Sequence, residues 1–346
     1  IPSEFRAVGK YNIGVTAGFE TNLIPGEQLE GCNRMDLIIT TSEHSKQVIE
    51  STVFDRHDEK TKQKIGEVRM EKPCEVLFEG LRTHIFKKTA QLNTEVKTEL
   101  LDIRESFCYL FVGHWLSGAV GHDRKDIGMM IKTFCEAFKR KPSSKRPGLI
   151  LKTSSAKFSI MDRDQIMKKI QQITAPYGNK APNIYLLHGD LTDEEMNELY
   201  NHPKVKAMVS FTHGEGFGRP LLEFSAIGKP VIASNWSGHV DFLKHATLLP
   251  GELIDVHPSA ANKWLLKESK WFRVNYSYAA QILTDVIDNY KNYQKLAKKQ
   301  QEYVLKNFTF DEMSKSFVKY VDDALKSVPK EMKLNLPKLK KVTNEA

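Results

Sequence analysis

From residue 108 onward, short apolar runs alternate with stretches whose apolar residues recur every three or four positions. "CYLFVG" (108–113) is followed by "RKDIGMMIKTFCEAFKR", with Ile127, Met130, Ile131, Phe134 and Phe138 at helical spacing. "GLILKTS" predicts the next strand and "DRDQIMKKIQQI" the next helix. Then come "NIYLLHG", the helix "DEEMNELYNH", the strand "KAMVSFT", the helix "RPLLEFSAIG" and the strand "PVIAS". Strands rich in Val, Ile and Leu, separated by amphipathic helices, predict a parallel α/β sheet covered on both faces. The first hundred residues repeat the alternation more weakly, in "YNIGVT", "DLIITTS", the helix "EHSKQVIEST" and "EVLFEG". Residues 90–107 are polar and read as a hinge. In such sheets ligands bind beyond the carboxyl ends of the strands, where loops enter helices.

Composition narrows this picture. With 346 residues and 40% hydrophobic content, the chain can bury cores for two domains. No apolar run approaches the roughly 18 residues of a membrane span, and the amino terminus carries no signal pattern. Cys32, Cys74, Cys108 and Cys135 lack C-x-x-C spacing and read as buried free thiols in a reducing compartment, hence a cytoplasmic location, with a zinc site as the lesser alternative. The formal charge of +8 favours acidic partners, including phosphates, nucleic acid or an anionic membrane surface met peripherally, although no aromatic-basic interleaving or reader motif supports a nucleic-acid-binding protein. Solvated Lys-rich helices are the competing explanation. "KSVPKEMKLNLPKLKKVTNEA" supplies several of these charges and reads as a basic tail over 327–346.

The chemistry concentrates in "HGEGFGRPLLEFSAIGKPVIAS" (213–234), at the carboxyl end of the strand "KAMVSFT". Gly214, Gly216 and Gly218 permit close backbone approach. Pro220 suits the first helical position and Gly228 a carboxy-terminal cap. The turn is expected to present free N–H groups and a helix dipole to a diphosphate. Glu215 in the loop and Glu223 in the first helical turn or just past it are expected to face one cleft as two hydroxyl clamps. Capping by Glu215 and solvent exposure of Glu223 are the alternatives to that reading.

This segment resembles the signature of retaining GT-B glycosyltransferases, which carry a Glu-x7-Glu motif and move sugars from nucleotide donors. "FVGHWLSGAVGHDRKDIGMMIKTF" is similar to their glycine-to-lysine segment and "IYLLHGDLTDEEMNELY", with His188, to their base-contacting segment. "FTFDEMSKSFVKYVDDAL" resembles the helix that returns to the first domain, and "VLFEGLRTHIF" the end of that domain. The resemblance implies two Rossmann-like domains facing a cleft. It would place the acceptor-side domain and linker in 1–107, the donor domain in 108–305 and the returning helix in 306–326. It further implies that Glu223 holds the ribose and Glu215 the donor sugar. Gly214, Gly216, Phe217 and Gly218 would approach sugar and diphosphate, with Gly113 and His114 beside them. Lys125, with Arg124, would neutralise the leaving diphosphate. Many members carry arginine where this chain has His114, and Arg124 is the expected substitute.

The family's opening glycine-rich unit and first-domain histidine are not visible before "YNIGVTAGFETN". The Ile-Pro start favours an amino-terminally incomplete product over a reduced acceptor domain, and Glu20 becomes a candidate acceptor contact. "MDRDQ" (Asp162, Asp164) matches a metal-binding Asp-x-Asp. Asp162 and Gln165 also fit a helix N-cap and N3, which is the preferred reading. No metal and no cofactor beyond the donor is therefore expected. The implied activity is retaining transfer of a hexose to an unidentified acceptor, whether glycan, lipid or other. A nucleotide-sugar-binding protein without turnover is the alternative.

Overall fold

The computed structural model describes residues 1–58, 60–92, 95–155 and 158–327. The first half contains β1 (Ile13–Val15), α1 (Gly26–Asn33), β2 (Leu37–Thr40), α2 (Glu43–Ser51), β3 (Phe54–His57), β4 (Lys64–Val68) and β5 (Cys74–Val76). A short helix, α3 (Glu95–Glu99), lies within the stretch expected to be hinge. The second half runs β6 (Cys108–Val112), α4 (Ile127–Phe138), β7 (Gly148–Lys152), α5 (Ile160–Thr174), β8 (Ile184–Leu187), α6 (Asp193–Asn201), β9 (Val205–Ser210), α7 (Arg219–Ser225), β10 (Val231–Ser234) and β11 (Thr247–Leu249). A hairpin, β12 (Gly251–Asp255) and β13 (Lys270–Val274), precedes α8 (Tyr276–Asp288), α9 (Tyr290–Asn307) and α10 (Phe310–Ser327).

The second sheet has six parallel strands in the order β11-β10-β9-β6-β7-β8. Both faces are covered, which explains its unbroken apolar strands. In β6, Cys108 and Leu110 face a core with Leu199, Leu222 and Phe224, while Tyr109 and Phe111 face α4, α5 and α8. The predicted stripe of α4 is within 1% of complete burial at Ile127, Met130, Ile131, Phe134 and Phe138. Each such side chain contributes roughly 1.5–3 kcal/mol. Strand order reverses between β6 and β9, and a reversal of this kind opens a crevice at the carboxyl ends. The loops 113–126 and 211–218 leave those two strands.

The first half forms a three-stranded parallel sheet, β1-β2-β5, over a core of Ile24, Leu29, Ile38, Val48 and Ile49. Contacts to the carboxy-terminal helices include these. Leu81 pairs with Thr309 in an isolated parallel bridge. Tyr320 Oη on α10 donates to Val76 O at 2.8 Å. All four cysteines are free and buried, and burial pushes their thiols up to about 12. No helix among the described residues is long and apolar enough to cross a membrane.

Several expectations need correction. The hairpins β3–β4 and β12–β13 were not foreseen. The N-cap of α5 is Ser159, whose side chain accepts from Asp162 N–H at 3.1 Å. Asp162 is thus the third helical residue, and its Oδ2 accepts from Ser155 N–H at 3.1 Å. Pro220 is the second residue of α7 rather than the first. The expected basic tail lies outside the described residues beyond 327.

Candidate active site at the strand-order reversal

Two loops build the site. After β6 the chain runs from Gly113 to Asp126, which caps α4 in the left-handed conformation (φ 51°) that Asp tolerates better than most residues. Tyr276 Oη donates to the buried Asp126 Oδ2 at 2.6 Å, pinning this turn from α8. Burial pushes the Asp126 carboxyl well up. The preceding Lys125 then faces the loop after β9. Its ammonium pairs with Glu215 Oε1, and Arg124 Nη1 lies 3.5 Å from Glu215 Oε2. Lys125 is 8% exposed and Glu215 7%, so water screens the pair little.

Burial by itself would raise the Glu215 carboxyl. The Lys125 charge and then Arg124 outweigh it and hold the group at about 2. Burial pulls the Lys125 ammonium down against the opposing pull of Glu215. Glu215 is therefore the firmly ionised member, and the ammonium persists because that carboxylate is there.

Backbone contacts fix the loop. Glu215 N–H donates to Ser237 Oγ at 2.9 Å, and Gly238 N–H donates to Glu215 O at 2.9 Å. The N–H groups of Gly216, Phe217 and Gly218 have no hydrogen-bond partner among the described residues, as a diphosphate seat requires. The loop is not open on all sides, however. Residues 16–22 of the first half pack onto it. A Cβ on Gly214 would lie 1.9 Å from Glu20 O, and one on Gly216 would lie 2.7 Å from Gly18 Cα. Thr41 Oγ1 donates to Gly216 O at 3.3 Å. Glu20 is itself 3.5 Å from Arg124.

The other expected residues divide. Gly113 lies beside Lys125, since a Cβ there would come 3.4 Å from Lys125 Cε. His114 Nδ1 is 3.1 Å from Ser154 Oγ, and burial, then the charges of Lys125, Arg124 and Lys152, lower its proton affinity. His188 is engaged elsewhere, 2.8 Å from Asp162 Oδ2. Glu223 is 7% exposed and held from two sides. Tyr200 Oη donates to it at 3.1 Å and Arg219 Nε at 2.9 Å. Burial raises its carboxyl and Arg219 opposes that. Glu223 lines a cavity of about 470 Å³ with Glu79, Arg82, Phe86, Arg219 and Phe310, not with Glu215. A larger cavity of about 630 Å³, at Arg104, Lys145 and Asn183, opens at the amino ends of β6–β8, away from these loops. Among the described residues no group of three acidic, His or Cys side chains could hold a metal ion.

Tyr200, Ser237 and Asp126 were missed by sequence reasoning, because each acts across 22 or more residues of chain. A polar residue beside a glycine after β10 was the only local hint for Ser237.

Residues 131–271, from within α4 to β13, match the family model described as glycosyl transferases group 1. Sucrose-phosphate synthase from Thermosynechococcus elongatus superposes with a TM-score of 0.60 at 16% identity, over 87% of this chain and 61% of that one. Trehalose-6-phosphate synthase OtsA gives 0.60 at 14%, over 92% and 67%. The chain has the GT-B fold. A third GT-B structure, Anabaena Alr3699/HepE in complex with UDP-glucose, gives 0.56 at 13%, over 86% of this chain and 66% of that one. No curated protein matches this sequence. The GT-B chain described here thus spans about three-fifths of the length of the synthase it resembles.

Proposed function

We propose that this protein transfers a hexose from a nucleotide diphosphate sugar to an acceptor, with retention at the anomeric carbon and without a metal ion. The observation that carries the reading is the convergence of Lys125 and Arg124 on Glu215 where strand order reverses. Two fixed cations there can stabilise a departing diphosphate, whose charge grows as the glycosidic bond breaks. The N–H groups of residues 216–218, without a partner among the described residues, supply neutral donors beside them. Freed from the cations, Glu215 can accept sugar hydroxyls, and Glu223 the ribose hydroxyls. The bond from the anomeric carbon to the diphosphate oxygen breaks on the same face that the acceptor oxygen attacks. The acceptor proton passes to the departing diphosphate, so no enzyme nucleophile is needed. The group 1 match and the UDP-glucose complex of HepE support a nucleotide-sugar donor.

The test is a thermal-shift panel of nucleoside diphosphates and their sugars, followed by donor hydrolysis. A ligand at 100 times its dissociation constant should add about 2.7 kcal/mol of stability. No stabilisation by any member of the panel would overturn the reading. Binding without hydrolysis or transfer would favour a sugar-nucleotide-binding protein without turnover. The close packing of Gly18 on Gly216 is the observation that keeps that second reading in play.

A further inference from the structure

The cavity that Glu223 lines is closed on its other side by the segment "FEGLR" at the end of the first half. Its backbone is clamped to the junction of α9 and α10. Leu81 N–H donates to Phe308 O at 2.8 Å, and Phe310 N–H donates to Leu81 O at 2.9 Å. Gly80 fits tightly, since a Cβ there would lie 2.6 Å from Phe310 Cα. The clamp leaves Glu79 half-buried, with its carboxylate on the cavity and no hydrogen-bond partner among the described residues. Other polar groups of the wall are engaged. Arg82 pairs with Asp193 at 2.5 Å, and Arg219 and Tyr200 hold Glu223. A rigidly placed carboxylate without a donor, in a polar cavity, is poised for a ligand's hydroxyls or N–H groups.

We infer that Glu79 is a third donor-binding carboxylate, contributed by the first half, which accepts hydroxyls of a nucleotide sugar seated in the Glu223 cavity. This rests on the proposed donor specificity and extends it. The ligand would then be gripped from both halves, by Glu79 on one wall and Glu223 on the other. Burial raises the Glu79 carboxyl, Arg219 lowers it and Glu215 raises it further. The charged groups that line the cavity with it are Arg82, Arg219 and Glu223, while Glu215 acts on it from outside the cavity, and its acceptor capacity is expected to be lost on acidification before that of an exposed glutamate.

The experiment is calorimetric titration of wild type, Glu79→Gln and Glu223→Gln with UDP-glucose and GDP-mannose at pH 7.5 and 5.5, with melts to confirm folding. Glu79→Gln keeps the shape and removes the charge. It should weaken binding of the recognised donor at least 10-fold at pH 7.5. Because burial raises the Glu79 carboxyl, the substitution should also make donor binding less sensitive to acidification than in wild type, which a structural role would not do. Undiminished donor binding by Glu79→Gln, while Glu223→Gln loses it, would overturn the inference and leave the donor reading intact. Failure of wild type to bind any nucleotide sugar would instead overturn the donor reading on which it rests.

Discussion

Replacing Lys125 by Met keeps the length of the stem and removes the charge that Glu215 depends on. The cost can be worked from the site. The carboxyl is held at about 2 against an ordinary 4.5, and one unit is about 1.4 kcal/mol, so the environment favours its ionised form by about 3 kcal/mol. That figure agrees with the roughly 3–5 kcal/mol lost when one member of a buried pair is removed. Arg124 at 3.5 Å softens the loss without cancelling it. Lys125→Met should therefore lose about 3 kcal/mol by urea denaturation at pH 7. Glu215→Gln in the same background should recover most of that loss, because no uncompensated charge remains. The pH dependence has a definite sign. A depressed carboxyl contributes stability above about 4.5 that is lost as pH falls toward about 2, and this limb should flatten in Lys125→Met. In transfer or donor hydrolysis, kcat should fall by roughly 100-fold, the scale for one fixed donor. Additive losses in the double-mutant cycle, with coupling below about 0.5 kcal/mol, would refute the pairing. A rise in KM with kcat intact would leave Lys125 as a docking charge only.

Glu223→Ala should weaken nucleoside diphosphate binding by about 1.5–3 kcal/mol and also orphan the buried Tyr200 hydroxyl, costing about 1–3 kcal/mol of stability. Unchanged affinity by calorimetry would remove Glu223 from the ligand. Gly18→Ala would place a Cβ 2.4 Å from Gly216 Cα and 2.5 Å from its carbonyl oxygen. The halves must shift, so the melting temperature should drop, and adding Gly216→Ala should cost little more because both force the same shift. A full second loss in the double variant would count against that contact. Burial holds His213 near 4, against an ordinary 6.5, so the unfolded chain binds its proton first and stability falls as pH drops from 6.5 toward 4. About 1.5 kcal/mol should vanish between pH 6.5 and 5, and the corresponding slope should flatten in His213→Gln. An unchanged slope in urea midpoints would show that His213 does not titrate in that window.

The parallel sheet was legible because its signal is local. The stripe of α4 lies within twelve residues, and each apolar run of β6, β7 and β9 reports burial on two faces. The hairpin β3–β4 carried no such signal. Its strands, with sequences FDRH and KIGEV, are almost wholly exposed, so no alternation of apolar and polar positions marks them. The site was legible as an inventory. Gly-rich turn, carboxylates and cations could all be named from residue type and spacing. What could not be read was that Lys125 and Arg124 are spent on Glu215, and that the loop 16–22 covers the turn. Those contacts join residues about 90 and 200 positions apart, through loops whose conformations carry no periodicity.

This charge arrangement bears on how a diphosphate can enter. Glu20, Arg124, Glu215 and Lys125 form a chain of alternating sign that runs from the first half into the second. Each cation is already neutralised, so an incoming diphosphate competes with the carboxylates rather than meeting free positive charge. The weaker link should yield first. Glu20 lies 3.5 Å from Arg124 and is partly exposed, whereas Glu215 is buried between two cations. Release of Arg124 by Glu20 would also loosen the seam at Gly18 and Gly216, coupling donor entry to movement between the halves. Glu20→Gln removes one competitor for Arg124 without changing shape, and should tighten nucleoside diphosphate binding by about 0.5–1 kcal/mol, the range for a partly exposed ion pair. Calorimetry at low and high salt checks this, and the gain should shrink as salt screens the pair. Weaker binding by Glu20→Gln would mean that Glu20 works with the ligand, as an acceptor-side contact would, and that it does not compete with the diphosphate for Arg124.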